Sequence, residues 1–195
     1  RSLVAYATPS DDEGGLHPQV QREQVTRWRE LYEQVYRDRP DSEDPTLNVV
    51  GWTSSYSGRA LPHQRMERWV DETVDRITAL QPTRILEIGC GSGMLLHRLA
   101  KICEEYWATD LSNAAIGLIE QHLPPELRTR VRLFTRSAED VSSFPAGAFD
   151  LVILNSVIQY FPSTEYLVRV LTSLSSLLAP GGALWIGDVR SKPLL

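Results

Sequence analysis

The stretch ILEIGCGSG, residues 85–93, sets one carboxylate, Glu87, among apolar side chains and follows it with three glycines that alternate with small residues. Glycine lets backbone approach a bound group closely and accepts left-handed φ. The N–H groups of such a turn, and of a helix start after it, can form a binding edge for polar parts of a ligand. The spacing is not the dinucleotide fingerprint G-x-G-x-x-G, because Met94 stands where the third glycine belongs, and no G-x-x-x-x-G-K-S/T phosphate loop occurs. A second acid, Asp110, closes the run EEYWATD. It lies about 20 residues beyond the glycines, near the distance at which a strand-end carboxylate meets ribose hydroxyls; its bland alternative is to cap a helix opening at SNAAI. The cluster SAED, residues 137–140, offers Glu139 or Asp140 to an adenine edge, or is a solvated turn.

These groups need elements to hold them. Strands fit residues 84–88, 105–109, 131–135, 149–154 and 183–187, with helices over 94–102, 113–122 and 165–178. The segment after the third strand is too short for a helix. Strands alternating with helices imply right-handed crossovers and a Rossmann-like, mainly parallel α/β sheet with helices on both faces. Ligands of such sheets bind beyond the carboxyl ends of the strands, so residues 87–93 and Asp110 share one edge. Upstream, Val25, Trp28, Leu31, Tyr32 and Val35 recur near a 3.6 period in a helix over 16–39, and Met66, Val70, Val74 and Ile77 mark another. TPSDDEGG (8–15) and DRPDSEDP (38–45) read as breaks. NVVGWTSSYSGRALP (48–62) reads as an ordered loop in which Trp52 and Tyr56 need somewhere to pack. The division is a linker over 1–15, a helical and loop extension over 16–60, and a core over 61–195.

With 42% hydrophobic and 23% charged residues, the 195-residue chain can bury a core and is not compositionally disordered. A net charge of −5 argues against a nucleic-acid partner, which selects a basic face. Cys90 and Cys103 lack metal-ligand spacing, so no metal is expected and both thiols are free, as in a reducing compartment. No apolar run reaches membrane-spanning length and no signal-peptide core opens the chain, so a cytoplasmic protein without a membrane partner is expected.

LEIGCGSG, then TD, AED, FDLVILNSV and LLAPGGALWIGD, together resemble the class I S-adenosylmethionine-dependent methyltransferases, over about residues 61–188. The resemblance implies S-adenosylmethionine as cofactor, with S-adenosylhomocysteine as product. It implies that Gly89, Cys90, Gly91 and Gly93 line the methionyl part, with Glu87 turned toward that end or the loop. Asp110, with Leu111 after it, would take the ribose, and Ala138, Glu139 and Asp140 the adenine. Asn155 and Ser156 would stand near the transferring methyl. NSVIQYFP (155–162), IGDVRSKPLL (186–195) and VGWTSSYSG (50–58) resemble more particularly the methyltransferase domains embedded in nonribosomal peptide synthetases. These N-methylate aminoacyl groups held on a carrier protein. RSLVAYATPS (1–10) resembles a late strand of the adenylation domain into which they are inserted, so residues 1–15 can be its remnant and the adenylation domain a neighbour. The class I sheet has further strands, which are expected beyond residue 195; without them the fifth strand would leave an exposed edge and a poorly soluble chain.

Methyl transfer needs alignment and exclusion of water more than a covalent nucleophile. An α-amine has a pKa of about 8, so one hydrogen-bond acceptor suffices to favour its neutral form. Gln159, Tyr160 and Tyr56 are the candidates beside the acceptor, each with a bland reading as a polar helix position, a core ring or a packed loop aromatic. His63 opens a helix. Asp188 and Arg190 form an ion pair or meet the tethered substrate. The other readings kept open are methylation on carbon, oxygen or sulfur, and a non-catalytic scaffold.

Overall fold

RILEI is apolar at every position but its arginine and one glutamate, and the strand it forms, β1 (Arg84–Ile88), lies in the middle of the sheet with both faces covered. The computed structural model describes residues 17–38, 44–49, 52 and 58–189. Their elements run α1 (Pro18–Arg37), α2 (His63–Thr78), β1, α3 (Leu96–Leu99), β2 (Glu105–Asp110), α4 (Asn113–His122), β3 (Val131–Thr135), β4 (Phe149–Asn155), α5 (Thr164–Ser175) and β5 (Leu178–Gly187), with short 3-10 turns at Pro45–Leu47, Pro125–Leu127 and Ile158–Tyr160. The strands pair all-parallel in the order β3-β2-β1-β4-β5. The order reverses beside β1, which places a crevice at its carboxyl end.

Alternation along each strand builds two cores. Ile85, Tyr106, Ala108, Leu151 and Ile153 face α2, α3 and α4, through Val70, Ile77, Leu96, Leu99, Ile116 and Ile119. Leu86, Ile88, Val152 and Leu154 face α5, through Tyr166, Val170 and Leu174, with Phe144 and Phe149. Trp107 meets Phe144 edge-on at 5.1 Å between ring centroids.

Two elements differ from expectation. The helix expected over 94–102 is reduced to α3, because Arg98, Lys101 and Ile102 bond three residues back, tightening both its ends into turns. The fifth strand starts earlier than residue 183: a register shift between Phe149 and Leu151 takes up the Pro180–Gly181–Gly182 run as an irregularity in the pairing with β5. As expected, no helix forms between β3 and β4.

α1 crosses the carboxyl edge of the sheet and is pinned to both faces. Near its start, buried Gln21 accepts a hydrogen bond from Arg169 on α5 at 2.8 Å. One Glu33 oxygen accepts the Ser112 hydroxyl at 2.7 Å and the Ala114 N–H at 3.0 Å, at the N-terminus of α4. A carboxylate there meets the positive end of the helix dipole, and these bonds lower the Glu33 pKa. No described helix is long and apolar enough to cross a membrane.

Candidate active site

β1 delivers the glycine turn to the crevice. Gly89, Gly91 and Gly93 all hold positive φ, at 74°, 54° and 81°, which only glycine adopts freely. The turn is also tightly packed. A Cβ on Gly89 would stand 2.5 Å from the Val157 side chain, and one on Gly91 would stand 2.8 Å from the Tyr36 hydroxyl.

Part of the polar edge expected of this turn is already used within the protein. Gly89 and Cys90 both donate to the Thr109 carbonyl, at 2.7 and 2.9 Å, and Gly93 donates to the Cys90 carbonyl. Gly91 donates to Asp110 at 2.9 Å. The helix that follows, α3, is only four residues long.

Asp110 closes β2 beside that turn. Its Oδ2 takes the Gly91 N–H and its Oδ1 the Ser112 N–H, at 2.9 and 2.8 Å. Each oxygen keeps a further lone pair, so two hydroxyls of a sugar can still be accepted. Burial raises its pKa against the pull of these N–H groups. The capping alternative is displaced: the N-cap of α4 is Ser112, whose hydroxyl accepts from the Ala115 N–H. Leu111 lines a cavity of about 440 Å³ between α1 and the ends of β2 and β3, with Glu33, Thr135 and Arg136.

The remaining candidates divide. Glu87 is 3% exposed, and its carboxylate accepts the Tyr106 hydroxyl at 2.8 Å beneath the turn. Burial pushes its pKa up to about 7. The Cys90 thiol is buried and its pKa is pushed up by burial, then by Asp110 and Glu87, as suits an inert side chain. Ala138 is buried in the α5-side core, while the Glu139 carboxylate is drawn away to Arg169 at 2.9 Å. Asp140 lies 4.0 Å from Arg136. Asn155 lines a second cavity of about 290 Å³ with Trp185, Gly187 and Asp188, and accepts from the Trp185 indole at 3.4 Å. Ser156 has φ of 58° and donates to Asp188 at 2.7 Å, so Asp188 is tied to β4. Tyr56 and Arg190 lie outside the described residues. Trp52 packs on Trp69, 4.9 Å between centroids. Among the described residues no group of His, Cys, Asp or Glu could hold a metal ion.

Gln159 and Tyr160 sit on the 3-10 turn after β4, under α1. The Gln159 Oε1 is buried and has no hydrogen-bond partner among the described residues. Tyr160 packs edge-on against Trp28 and Tyr32, at 4.8 and 5.4 Å, and Tyr36 stacks on Tyr32 at 6.2 Å. These α1 rings were legible only as an apolar stripe. The i, i+4 pair of tyrosines in LYEQVY was the one signal that this stripe carries polar tips.

A crevice that combines a glycine turn, a sugar-competent carboxylate and an aromatic roof fits S-adenosylmethionine, a nucleoside with a cationic tail. The methyltransferase-domain family profile matches residues 86–184. The chain is 43% identical over its whole length to a segment of chondramide synthase cmdD from Chondromyces crocatus, covering 5% of that protein. It is 33% identical over 98% of its length to a segment of the beauvericin nonribosomal cyclodepsipeptide synthetase from Beauveria bassiana, covering 6% of it. Among solved structures it is similar to phosphoethanolamine N-methyltransferase 1 of Haemonchus contortus, with a TM-score of 0.63 at 18% identity over 91% of this chain and 34% of that one. The glycine turn, the strand order and the matched residues together show that the chain belongs to the class I S-adenosylmethionine-dependent methyltransferases, and it is similar to segments of nonribosomal peptide synthetases.

Proposed function

We propose that this domain N-methylates the α-amine of an aminoacyl group tethered to a carrier protein, within a nonribosomal peptide synthetase that also holds a neighbouring adenylation domain. In this reading the glycine turn receives the amino-acid end of S-adenosylmethionine, Asp110 its ribose hydroxyls, and the backbone of residues 138–140 its adenine. Bound there, the cofactor supplies an electrophilic methyl group.

The observation that carries the choice of nitrogen is the Gln159 Oε1, a buried acceptor without a partner among the described residues. An amine N–H would satisfy it, leaving the nitrogen lone pair free, and no strong base is needed because the amine loses its extra proton near neutrality. A hydroxyl acceptor would need a general base. Tyr160 is flanked by the rings of Trp28 and Tyr32, and Val157 and Ile158 just before it pack on the α5-side core. Tyr160 and the α1 rings orient the acceptor and keep water out. Asn155 and Ser156 hold the end of β4 in place.

The test is mass spectrometry of aminoacyl-loaded carrier protein after incubation with the domain and S-adenosylmethionine. One added methyl group, located by fragmentation on the α-nitrogen, is expected. A methyl group on carbon, or equal modification of a hydroxyacyl-loaded carrier, would overturn the reading.

A further inference from the structure

The glycine turn has committed four of its own N–H groups: those of Gly89 and Cys90 to the Thr109 carbonyl, that of Gly91 to Asp110 and that of Gly93 to the Cys90 carbonyl. The amino-acid end of S-adenosylmethionine carries a carboxylate. An anion brought against this turn cannot use those four, and with the Asp110 carboxylate behind Gly91 a side-chain donor from elsewhere would favour it.

α1 brings one. The Tyr36 hydroxyl lies over Gly91, 2.8 Å from where a Cβ would stand, and no residue among those described takes its hydrogen. Burial, then the negative charge of Asp110, raise its pKa well above the ordinary phenol value, so it keeps its proton and remains a donor. Its ring is held by the stack with Tyr32. Its backbone is held by Glu33, which grips the N-terminus of α4 through Ser112 and Ala114. Ser112 also bonds Asp110, so the anchor of the roof and the sugar-binding carboxylate are braced by one residue.

We propose that Tyr36 is a cofactor-binding residue whose hydroxyl donates to the carboxylate at the amino-acid end of S-adenosylmethionine, and that Glu33 is the positioning residue that holds it over the turn. This rests on the reading above that the glycine turn receives that end of the cofactor.

The experiment is calorimetric titration of the full chain with two probes. S-adenosylhomocysteine has the amino-acid end; 5′-methylthioadenosine keeps the nucleoside and lacks it. Tyr36→Phe keeps the ring and removes only the hydroxyl. It should weaken S-adenosylhomocysteine about ten- to a hundred-fold, the scale of one hydrogen bond to a charged group, and leave 5′-methylthioadenosine unchanged. Glu33→Gln should shift the ratio of the two affinities in the same direction by less, which a loss of general stability would not do. Equal affinities of wild type and Tyr36→Phe for S-adenosylhomocysteine would overturn the inference, as would an equal loss for both probes or a gain that marks Tyr36 as a plug. If wild type bound S-adenosylhomocysteine no more tightly than 5′-methylthioadenosine, the placing of the amino-acid end at the turn would fall, and the inference with it.

Discussion

Asp110 Oδ2 accepts the Gly91 N–H at 2.9 Å, so the carboxylate at the end of β2 braces the turn at the end of β1. The two features that stand apart in sequence form one bonded unit. Asp110→Ala should weaken S-adenosylmethionine by about 1.5–3 kcal/mol, the usual scale for a hydrogen bond to a charged group, and should also loosen the turn. Isothermal titration measures the first effect. Hydrogen exchange at the Gly91 amide, faster in the variant, measures the second.

Gly91 should tolerate no side chain. Its φ of 54° disfavours any L-residue, and a Cβ would stand 2.8 Å from the Tyr36 hydroxyl. Gly91→Ala should destabilise the chain by about 1 kcal/mol from the backbone alone, and by more while Tyr36 stays in place. Combining it with Tyr36→Phe should recover part of the loss. Urea unfolding of the single and double variants gives the coupling directly.

Gln159 should be a residue that costs stability and supports the reaction. A buried polar atom without a partner costs about 1–3 kcal/mol. Gln159→Met, close in shape, should raise the unfolding free energy by about 1 kcal/mol and lower the single-turnover rate of methyl transfer, with cofactor affinity nearly unchanged. Tyr160→Phe, which removes a hydroxyl from the same turn, should slow transfer by less. Paired chemical denaturation and rapid-quench assays distinguish these outcomes.

Two buried groups should give opposite dependences of stability on pH. Glu87 binds its proton up to about pH 7 in the folded chain, against an ordinary value of 4.5, because it is buried. Its contribution is fully present below pH 4.5 and is lost as pH rises toward 7, by about 3 kcal/mol at roughly 1.4 kcal/mol per unit. His97, buried with Nε2 unpartnered among the described residues, falls to about 4 from 6.5. Its contribution is present above pH 6.5 and is lost as pH falls toward 4. Glu87→Gln keeps an acceptor for Tyr106 and removes only the first dependence. Relative to wild type, the variant should gain stability steadily between pH 4.5 and 7 and no further above. Urea midpoints at pH 5, 6 and 7.5 check the difference.

Where function was legible in the sequence, local chemistry forced it. Three alternating glycines ahead of a helix, an acid closing an aromatic strand and a strand–helix alternation each have few structural solutions. The parallel sheet and the placing of the glycine turn and Asp110 at strand ends therefore followed from residue types and spacing; the bond between them did not. β1 and β3 begin and end where their β-rich, turn-bounded runs do. α3 and β5 do not, because their limits depend on partners distant in sequence: tightened turns in one case, and the pairing of β5 with β4 across the irregularity at Phe149 in the other.

What only the tertiary structure decided is where long side chains point and what satisfies them. Glu87 is next to the glycines in sequence, yet the two-residue period of β1 turns it to Tyr106 beneath the turn. Glu139 stands in the turn after β3, yet its carboxylate is claimed by Arg169 from α5. Three of the turn's N–H groups are taken up by β2, a neighbouring strand. α1 shows the same limit most clearly. Its 3.6-residue apolar period announces a helix with a buried face, but a stripe looks alike whether it covers a core or roofs a crevice. The contacts of Gln21 with α5 and of Glu33 with α4 lay that stripe across the carboxyl edge of the sheet. Hydrogen bonds between residues so far apart in the chain exist only once both faces of the sheet are covered, so no local pattern could encode Tyr36 over Gly91.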